Sequence, residues 1–340
     1  MSGTLLTQAQ WLQAVALAAR APSPHNAQPA RWQLSGDEVR QFANGSGWLA
    51  AGDPSGRDDF VALGMAWEGM TLALSVSGIA LTMPRIAVSA GDRQPSGTRL
   101  IATGNVSAGA EPALLAAQIE RRRSFRGAFT AASHSQLAAL DACIASHADI
   151  AMPIAESPRK EVARWYDAAA AEGLRNPEVA QELYRFMRFS PRDPRWALDG
   201  LAADCMQLSR PEAIGASLLM RPKVLALLGR LGLVGMLVSE KPKVLSATRL
   251  VVIHAGSADS PFDAGRRWYR FWLALCAAGF SAVPMSALAD SPRYSAALLA
   301  VQAMPPDRRL LNVMRIGPSP VPPAPRSARL GTEELVVRAA

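Results

Sequence analysis

Three short stretches of this sequence group side chains densely enough to do chemistry. The first is Ala21-Pro22-Ser23-Pro24-His25-Asn26-Ala27-Gln28-Pro29, directly after a helical pattern. Prolines fix φ and stiffen a turn. Stiff turns present short polar groups, here Ser23, Asn26 and Gln28, to a ligand. The competing reading is a helix-ending loop whose polar side chains satisfy the local backbone. The second stretch is Arg121-Arg122-Arg123-Ser124-Phe125-Arg126. If it is extended, Arg122, Ser124 and Arg126 share one face and span about 13 Å. That suits an elongated anion with a phosphate at one end and an electron-poor ring at the other, since arginine offers forked donors to phosphate oxygens. The other reading is a solvated basic helix end, favoured by the helix dipole. The third stretch, Pro325-Arg326-Ser327-Ala328-Arg329, is by itself a basic loop.

These stretches must be held by elements that the pattern also marks. Trp67-Glu-Gly-Met-Thr-Leu72-Ala73-Leu74-Ser-Val-Ser-Gly78 and Trp268-Tyr-Arg-Phe-Trp-Leu273-Ala274-Leu275-Cys-Ala-Ala-Gly279 both read W-x4-L-A-L-x3-G. Each is preceded by a Gly-Arg pair, Gly56-Arg57 and Gly265-Arg266, and followed by a proline, Pro84 and Pro284. Trp268, Trp272, Leu275 and Gly279 fall at helical spacing, so each copy is expected to be a buried helix stopped by its glycine. A repeat this far apart points to a duplicated domain, since solenoid periods run about 20 to 50 residues. The boundary is expected in the linker-like stretch Ser107 to Pro112. A helix is expected over Thr7 to Ala21. Strands are expected at Ile86–Ser89, Thr98–Ala102, Arg249–His254 and Leu310–Ile316. Pro191 to Val244 fits no strand–helix rhythm and reads as an insertion with helices of its own.

Composition removes several classes. Of 340 residues, 49% are hydrophobic and 19% charged, so a disordered chain is not expected. The net charge of +8 comes from scattered arginines, without a basic amphipathic helix or lysines interleaved with aromatics; no nucleic acid is expected as partner. Cys143, Cys205 and Cys276 are far apart with no CxxC, so neither a zinc clip nor a disulfide scaffold is implied. The four histidines show no ligand spacing, and no metal is expected. No GxGxxG opens a helix after a strand, so no Rossmann site is expected. Arg221, Lys223 and Arg230 interrupt the most apolar region, Ile214 to Val238, which argues against a bilayer span. No membrane partner is expected, no signal peptide is read at the start, and the default compartment is the cytoplasm.

Taken together, the Ala-Pro-Ser-x-x-Asn-x-Gln-Pro loop and the Arg-x-Ser-x-Arg segment resemble the two FMN-contacting motifs of nitroreductases. In a nitroreductase homodimer the flavin sits between subunits, one giving the arginine segment and the other the Pro-Ser loop. Here the first half holds only the loop and the second only the arginines. The chain therefore resembles a dimer fused into one polypeptide with one composite site kept. Its order, its length and the segment Trp196-Ala-Leu-Asp199-Gly200 resemble the Acg family of FMN-binding, nitroreductase-like proteins. The resemblance implies an α+β tandem fold of two pseudo-symmetric halves, each a mainly antiparallel sheet flanked by helices: residues 1–110, and 111–340 with a lid-like insertion at 191–244. It implies that Arg122, Arg123 and Ser124 hold the FMN phosphate with Arg326 and Arg329. Arg126 would lie near the flavin N1 and O2 edge. Pro284, Met285, Ser286 and Ala287 would pack on the ring, and Ser23, Asn26 and Gln28 would complete the pocket. The implied activity takes electrons from NADH or NADPH to a nitro compound, quinone or similar acceptor; the alternative is a lidded, flavin-sequestering protein. One departure is Ala30, where the family often has Trp; Trp32 comes two positions later.

Overall fold

The structure, a computed structural model, describes residues 5–89, 97–237 and 239–338. The chain opens with α1 (Gln8–Ala18), β1 (Ala30–Ser35), β2 (Glu38–Asn44), α2 (Arg57–Ser75), β3 (Ile79–Leu81), β4 (Arg85–Ile86) and β5 (Thr98–Ala108). There follow α3 (His134–Ala145), β6 (Ala151–Pro153), α4 (Arg159–Arg175), α5 (Pro177–Phe186), the two-residue strands β7 (Met187–Arg188) and β8 (Leu201–Ala202), and four helices, α6 (Arg210–Leu219), α7 (Pro222–Arg230), α8 (Val234–Leu237) and α9 (Lys241–Leu245). The last part comprises β9 (Arg249–Gly256), α10 (Pro261–Ala277), β10 (Phe280–Pro284), α11 (Ala287–Asp290), α12 (Pro292–Val301), β11 (Arg308–Pro318) and α13 (Thr332–Leu335).

Two antiparallel sheets result, ordered β1-β2-β5-β3 and β6-β9-β11-β10, with β4 on the flank of β5. Matched in chain order around their long helices, β1 and β6, β2 and β9, β3 and β10, and β5 and β11 take the same places. The fold is α+β, with two pseudo-symmetric halves.

The symmetry is exact enough to repeat a single contact. Trp67 and Trp268 stand 201 positions apart, as do Gly64 and Gly265, Val61 and Phe262, and Gly78 and Gly279. The two long helices α2 and α10 cross where a Cβ on Gly64 would lie 1.9 Å from the Phe262 carbonyl oxygen, and one on Gly265 would lie 2.1 Å from that of Val61. The contact is made twice, as in a two-fold dimer. Gly78 and Gly279 end the matching turns with φ of 72° and 85°, where glycine costs nothing. Trp67 packs against Phe262 and against Trp32, with ring centres 6.2 and 6.0 Å apart. Fully buried Glu68 of α2 binds Arg266 and Arg270 of α10 at 3.1 and 2.6 Å.

The repeat carries a correction. Gly56 caps the start of α2 at φ 68°, whereas Gly265 lies inside α10, so the two Gly-Arg pairs are not equivalent; the partner of Gly265 is Gly64. Some boundaries also move. The first helix stops at Ala18, after a Thr7–Gln10 capping box at its start, because Pro22 and Pro24 follow too closely for another turn. The strand expected at Ile86–Ser89 is only Arg85–Ile86, while β5 runs to Ala108, so Ser107 pairs with Ala80 rather than standing in a linker. Missing from the expectations is the β1–β2 hairpin, turned at Gly36-Asp37.

Within the second half, Phe125 N–H donates to the Ala282 carbonyl at 3.4 Å, and Ser124 and Ala282 form a parallel bridge. After β11 the chain returns to the first half, where Val337 N–H donates to the Trp32 carbonyl at 2.7 Å. We predict that Gly64→Ala lowers thermal stability by more than about 3 kcal/mol, because backbone must move to admit the methyl. Gly173→Ala, inside α4 with open space around it, is expected to raise stability by up to about 1 kcal/mol. Parallel melting curves check both.

Candidate functional site

The end of α1, the arginine segment and the returning arm meet in a narrow cleft lined by Arg20, Ile119, Arg122, Arg123, Ser124, Pro325, Arg326, Ser327 and Arg329. Five of the nine are arginines and none is acidic. Each comes from a different kind of support. Arg20 leaves the end of α1 as the chain turns into the Pro-Ser loop. Arg122 to Ser124 lie where a turn straightens to run beside β10. Arg326 and Arg329 lie on the returning arm.

The segment is anchored from below. Phe125 and Phe129 are buried edge to face at 5.1 Å. Arg315, 2% exposed, stacks over Phe129 and donates to the Gly127 carbonyl at 2.7 Å. The expected single face is not kept: consecutive Arg122, Arg123 and Ser124 all line the cleft, and Arg126 does not. The cause is the turn before Arg122, and Arg123 curls back to the Glu120 carbonyl.

Arg122 is the most constrained cation. It is 8% exposed, lies over the Trp272 ring at 4.6 Å, and donates through Nη2 to the Arg20 carbonyl at 3.2 Å. Its Nε and Nη1 are buried without a hydrogen bond, as is Arg123 Nε. The buried Tyr269 hydroxyl lies alongside; burial pushes its acidity down, and the charges of Arg122 and Arg329 and a hydrogen bond with Arg122 oppose that shift. Arg329 Nη1 donates to Asn26 Oδ1 at 2.7 Å and to the Ala328 carbonyl at 2.8 Å; Nε bonds the Ala19 carbonyl. All these acceptors are neutral. Burial, then the neighbouring charges of Arg122 and Arg20, pushes Arg329 down to about 9. Burial likewise lowers Arg122, and burial with Arg326 lowers Arg20 and Arg123. The one carboxylate that reaches a cleft arginine among the described ion pairs is Glu120, 3.8 Å from Arg326 at the exposed rim. Buried cations without anions are costly. An oxyanion with several acceptor oxygens supplies what the orphaned donors lack.

The Pro-Ser loop is held hard. His25, Asn26 and Gln28 have φ of 49°, 58° and 51°, each costing about 1–2 kcal/mol for a side-chain-bearing residue. The polar atoms are engaged with protein. Ser23 Oγ accepts from Gln28 N–H at 2.9 Å. Asn26 Nδ2 donates to the Ala328 carbonyl at 3.0 Å. Gln28 accepts from Leu330 N–H and donates to the Leu198 carbonyl, both at 2.9 Å. The loop thus clamps the returning arm and so sets Arg329. Ser23 and Gln28 line a different, apolar pocket with Ala62, Ala66 and Leu335. Of the side chains Ser23, Asn26 and Gln28, Asn26 alone bonds a cleft arginine, and the Ala21 carbonyl at the loop's start accepts from Arg329 at 3.5 Å.

Pro284, Met285, Ser286 and Ala287 stand apart from the cleft; Pro284 ends β10, the strand that the arginine segment joins, and the others lead from it into α11. Arg126 and Pro284 are each two residues beyond the bridged pair Ser124 and Ala282. Met285 N–H is spent on the Val313 carbonyl at 2.7 Å, and Ser286 Oγ accepts from Asn312 at 3.0 Å. Arg126 is lowered by burial, an effect opposed by Cys205, Tyr166 and Glu240.

Arg20, Tyr269, Trp272 and His25 were not among the expected site residues. Arg20 stands one residue before the loop, which is a signal. His25 lies inside the motif but lacks ligand spacing. Its ring packs on Phe186 at 5.9 Å, and burial followed by the charge of Arg126 pushes it down to about 4.

No family model and no curated protein matches the chain. Among solved structures the chain is similar to the FMN-dependent nitroreductase NfnB of Mycobacterium smegmatis, solved with NADPH: 20% identity, 66% of this chain and 96% of that one, TM-score 0.39. It is similar to the FMN- and NADPH-dependent NfnB of sphigopyxis sp. strain HMH at 19% identity, 67% and 100%, TM-score 0.36. It is also similar to a nitroreductase-like family protein of Bacillus cereus at 16% identity, 67% and 96%, TM-score 0.31.

Two outcomes are expected. Inorganic phosphate should raise the melting temperature of the protein, and Arg122→Met should weaken that binding on the order of 100-fold, the worth of a lost charged hydrogen bond. The second concerns pH. His25 takes its proton at about 4 when folded and near 6.5 when unfolded. Between those values the unfolded chain holds more protons, so this group costs stability as pH falls. His25→Asn tolerates the positive φ and removes the titration. Its stability relative to wild type should therefore rise as pH is lowered from 7 to 5, read by denaturant melts.

Proposed function

We propose that the chain is an FMN-binding oxidoreductase of nitroreductase type with one composite site between its halves. The observation that carries this reading is the cleft of five arginines in which buried Arg122 keeps two donor nitrogens without hydrogen bonds. The motif resemblance supplies the rest: a phosphate held by Arg122, Arg123, Ser124, Arg326 and Arg329, helped by Arg20. Bound FMN would supply a hydride acceptor that is reduced by a nicotinamide and reoxidised by a second substrate.

The chain's own groups do the following in this reading. The arginines fix the phosphate end and so the register of the cofactor. Arg126 presents a desolvated positive charge toward the ring end, which favours negative charge there and raises the potential. His25 stays neutral beside Arg126, so it adds no competing positive charge. With Met285 N–H committed to β11, donors from the Pro284–Ala287 loop toward the ring would come from Ser286 and Ala287. The nicotinamide would be NADH or NADPH, and the acceptor a nitro compound, quinone or relative.

A second reading, a flavin-sequestering protein, is favoured by the cover over the Pro-Ser loop. Phe186 at the end of α5 packs on His25, and the Leu198 carbonyl binds Gln28. One experiment separates the two. The purified protein, loaded with FMN, is mixed with NADH or NADPH without oxygen. Bleaching of the visible bands is the expected result. Persistent bands would favour sequestration, and failure to retain FMN would end both readings.

A further inference from the structure

The segment α6–α9 shows the solvent an unusual surface. Of fourteen exposed large apolar side chains among the described residues, seven lie between Arg210 and Leu245: Ile214, Leu218, Leu219, Leu227, Leu231, Leu237 and Leu245. Ile214 is 65% exposed, Leu227 55% and Leu231 62%. Single exposed leucines need no explanation, but a cluster of this kind marks an interaction site. The layer is thin beneath. Leu225 and Val234 turn inward onto Ala171, Leu174 and Ala180, a small cluster separate from the main cores. So α7 is apolar on both sides, and only one side is covered.

The charges are placed as deliberately as the leucines. On α6, Arg210, Ile214 and Leu218 follow at steps of one turn, and Arg221 stands just beyond the helix as the N-cap of α7; on α7, Lys223, Leu227 and then Arg230 with Leu231 at its end follow at similar steps. All are exposed. From Arg210 to Leu245 there are six cations and two acids, an excess of four, half of the whole chain's +8. Each stripe is a leucine centre with cationic ends.

We propose that this face docks on an anionic lipid surface, with the leucines in the headgroup–acyl boundary and Arg210, Arg221, Lys223 and Arg230 on lipid phosphates. Charge complementarity selects this occupant. A second copy in a two-fold contact would bring like-charged rims together. A nucleic acid would leave the leucines uncovered. Lipid takes up both kinds of group at once. Docking is peripheral, since among the described residues no helix is long and apolar enough to cross a membrane. The expectation of no membrane partner rested on Arg221, Lys223 and Arg230 interrupting the apolar region, which argues against a span; a peripheral contact uses those same exposed cations.

The test is flotation of the protein with vesicles of phosphatidylcholine alone and of phosphatidylcholine with phosphatidylglycerol, at low and high salt. Binding is expected only to the second kind, and weaker at high salt. Lys223→Gln with Arg230→Gln should cost about twentyfold. Leu218→Ser with Leu227→Ser should cost more than tenfold, with an unchanged melting curve because both side chains are outside the core. No binding to anionic vesicles at low salt would overturn the proposal. So would binding that survives the leucine substitutions, which is adsorption of a basic protein, or a dimer that the leucine substitutions dissociate, which is a self-interface. A gel shift with duplex DNA that is lost with the Lys223 and Arg230 substitutions, without vesicle binding, would assign the cations to nucleic acid instead. None of these readouts depends on FMN.

Discussion

Two helices touching through bare backbone fix this molecule. Where α2 and α10 cross, Gly64 and Gly265 leave no room even for a methyl group, and each rests on the other helix's carbonyl. Helices usually stand about 8–10 Å apart, spaced by side chains. The glycine contact removes that spacer at two points and leaves the axes little freedom to slide or turn. Everything else is hung from the crossing. Glu68 can be wholly buried because Arg266 and Arg270 come from the opposite helix at fixed height. Trp67 and Phe262 can meet across the junction. Trp272, two turns beyond Gly265, presents its face to Arg122.

The arginine cleft is the opposite kind of structure, one that opposes its own formation. Arg122 is desolvated with donors left over, and Arg329 is surrounded by neutral acceptors and two like charges. The strained Pro-Ser loop adds to the cost. Local rules broken together in one place, inside a fold otherwise well satisfied, are the physical mark of a site shaped for a ligand. The rigid crossing sustains that strain, because the loop, the arginine segment and the returning arm cannot relax apart without moving α1 or β10.

Much of this was legible in sequence, for identifiable reasons. The W-x4-L-A-L-x3-G repeat was readable because a buried helix needs large residues at fixed turns and a glycine stop. The wrong Gly-Arg pairing came from matching letters without the spacing of 201 that packing enforces. The grouping of Arg122 and Arg123 with Arg326 and Arg329, which the motif resemblance implied, is present in the cleft. The roles of Asn26 and Gln28 were not readable. Their partners, Ala328 and Leu330, lie some three hundred residues away, and both a ligand and a backbone carbonyl want the same amide. The exposed stripe on α6 and α7 was hidden because α7 carries apolar side chains both inward, at Leu225, and outward, at Leu227 and Leu231, and the sequence does not say which are covered.

The returning arm has a consequence for the order of events at synthesis. Arg326 and Arg329 lie downstream of both sheets, and Val337 seals against Trp32 only after them. A nascent chain that has already finished β11 holds the crossing helices, the Pro-Ser loop and Arg122, yet lacks two of its five cleft cations and the strand-like seal behind them. Completion of the cleft therefore waits until the returning arm has left the ribosome tunnel. Until then the most repulsive part of the molecule stays open to water, and folding of the two halves goes ahead without its full opposition.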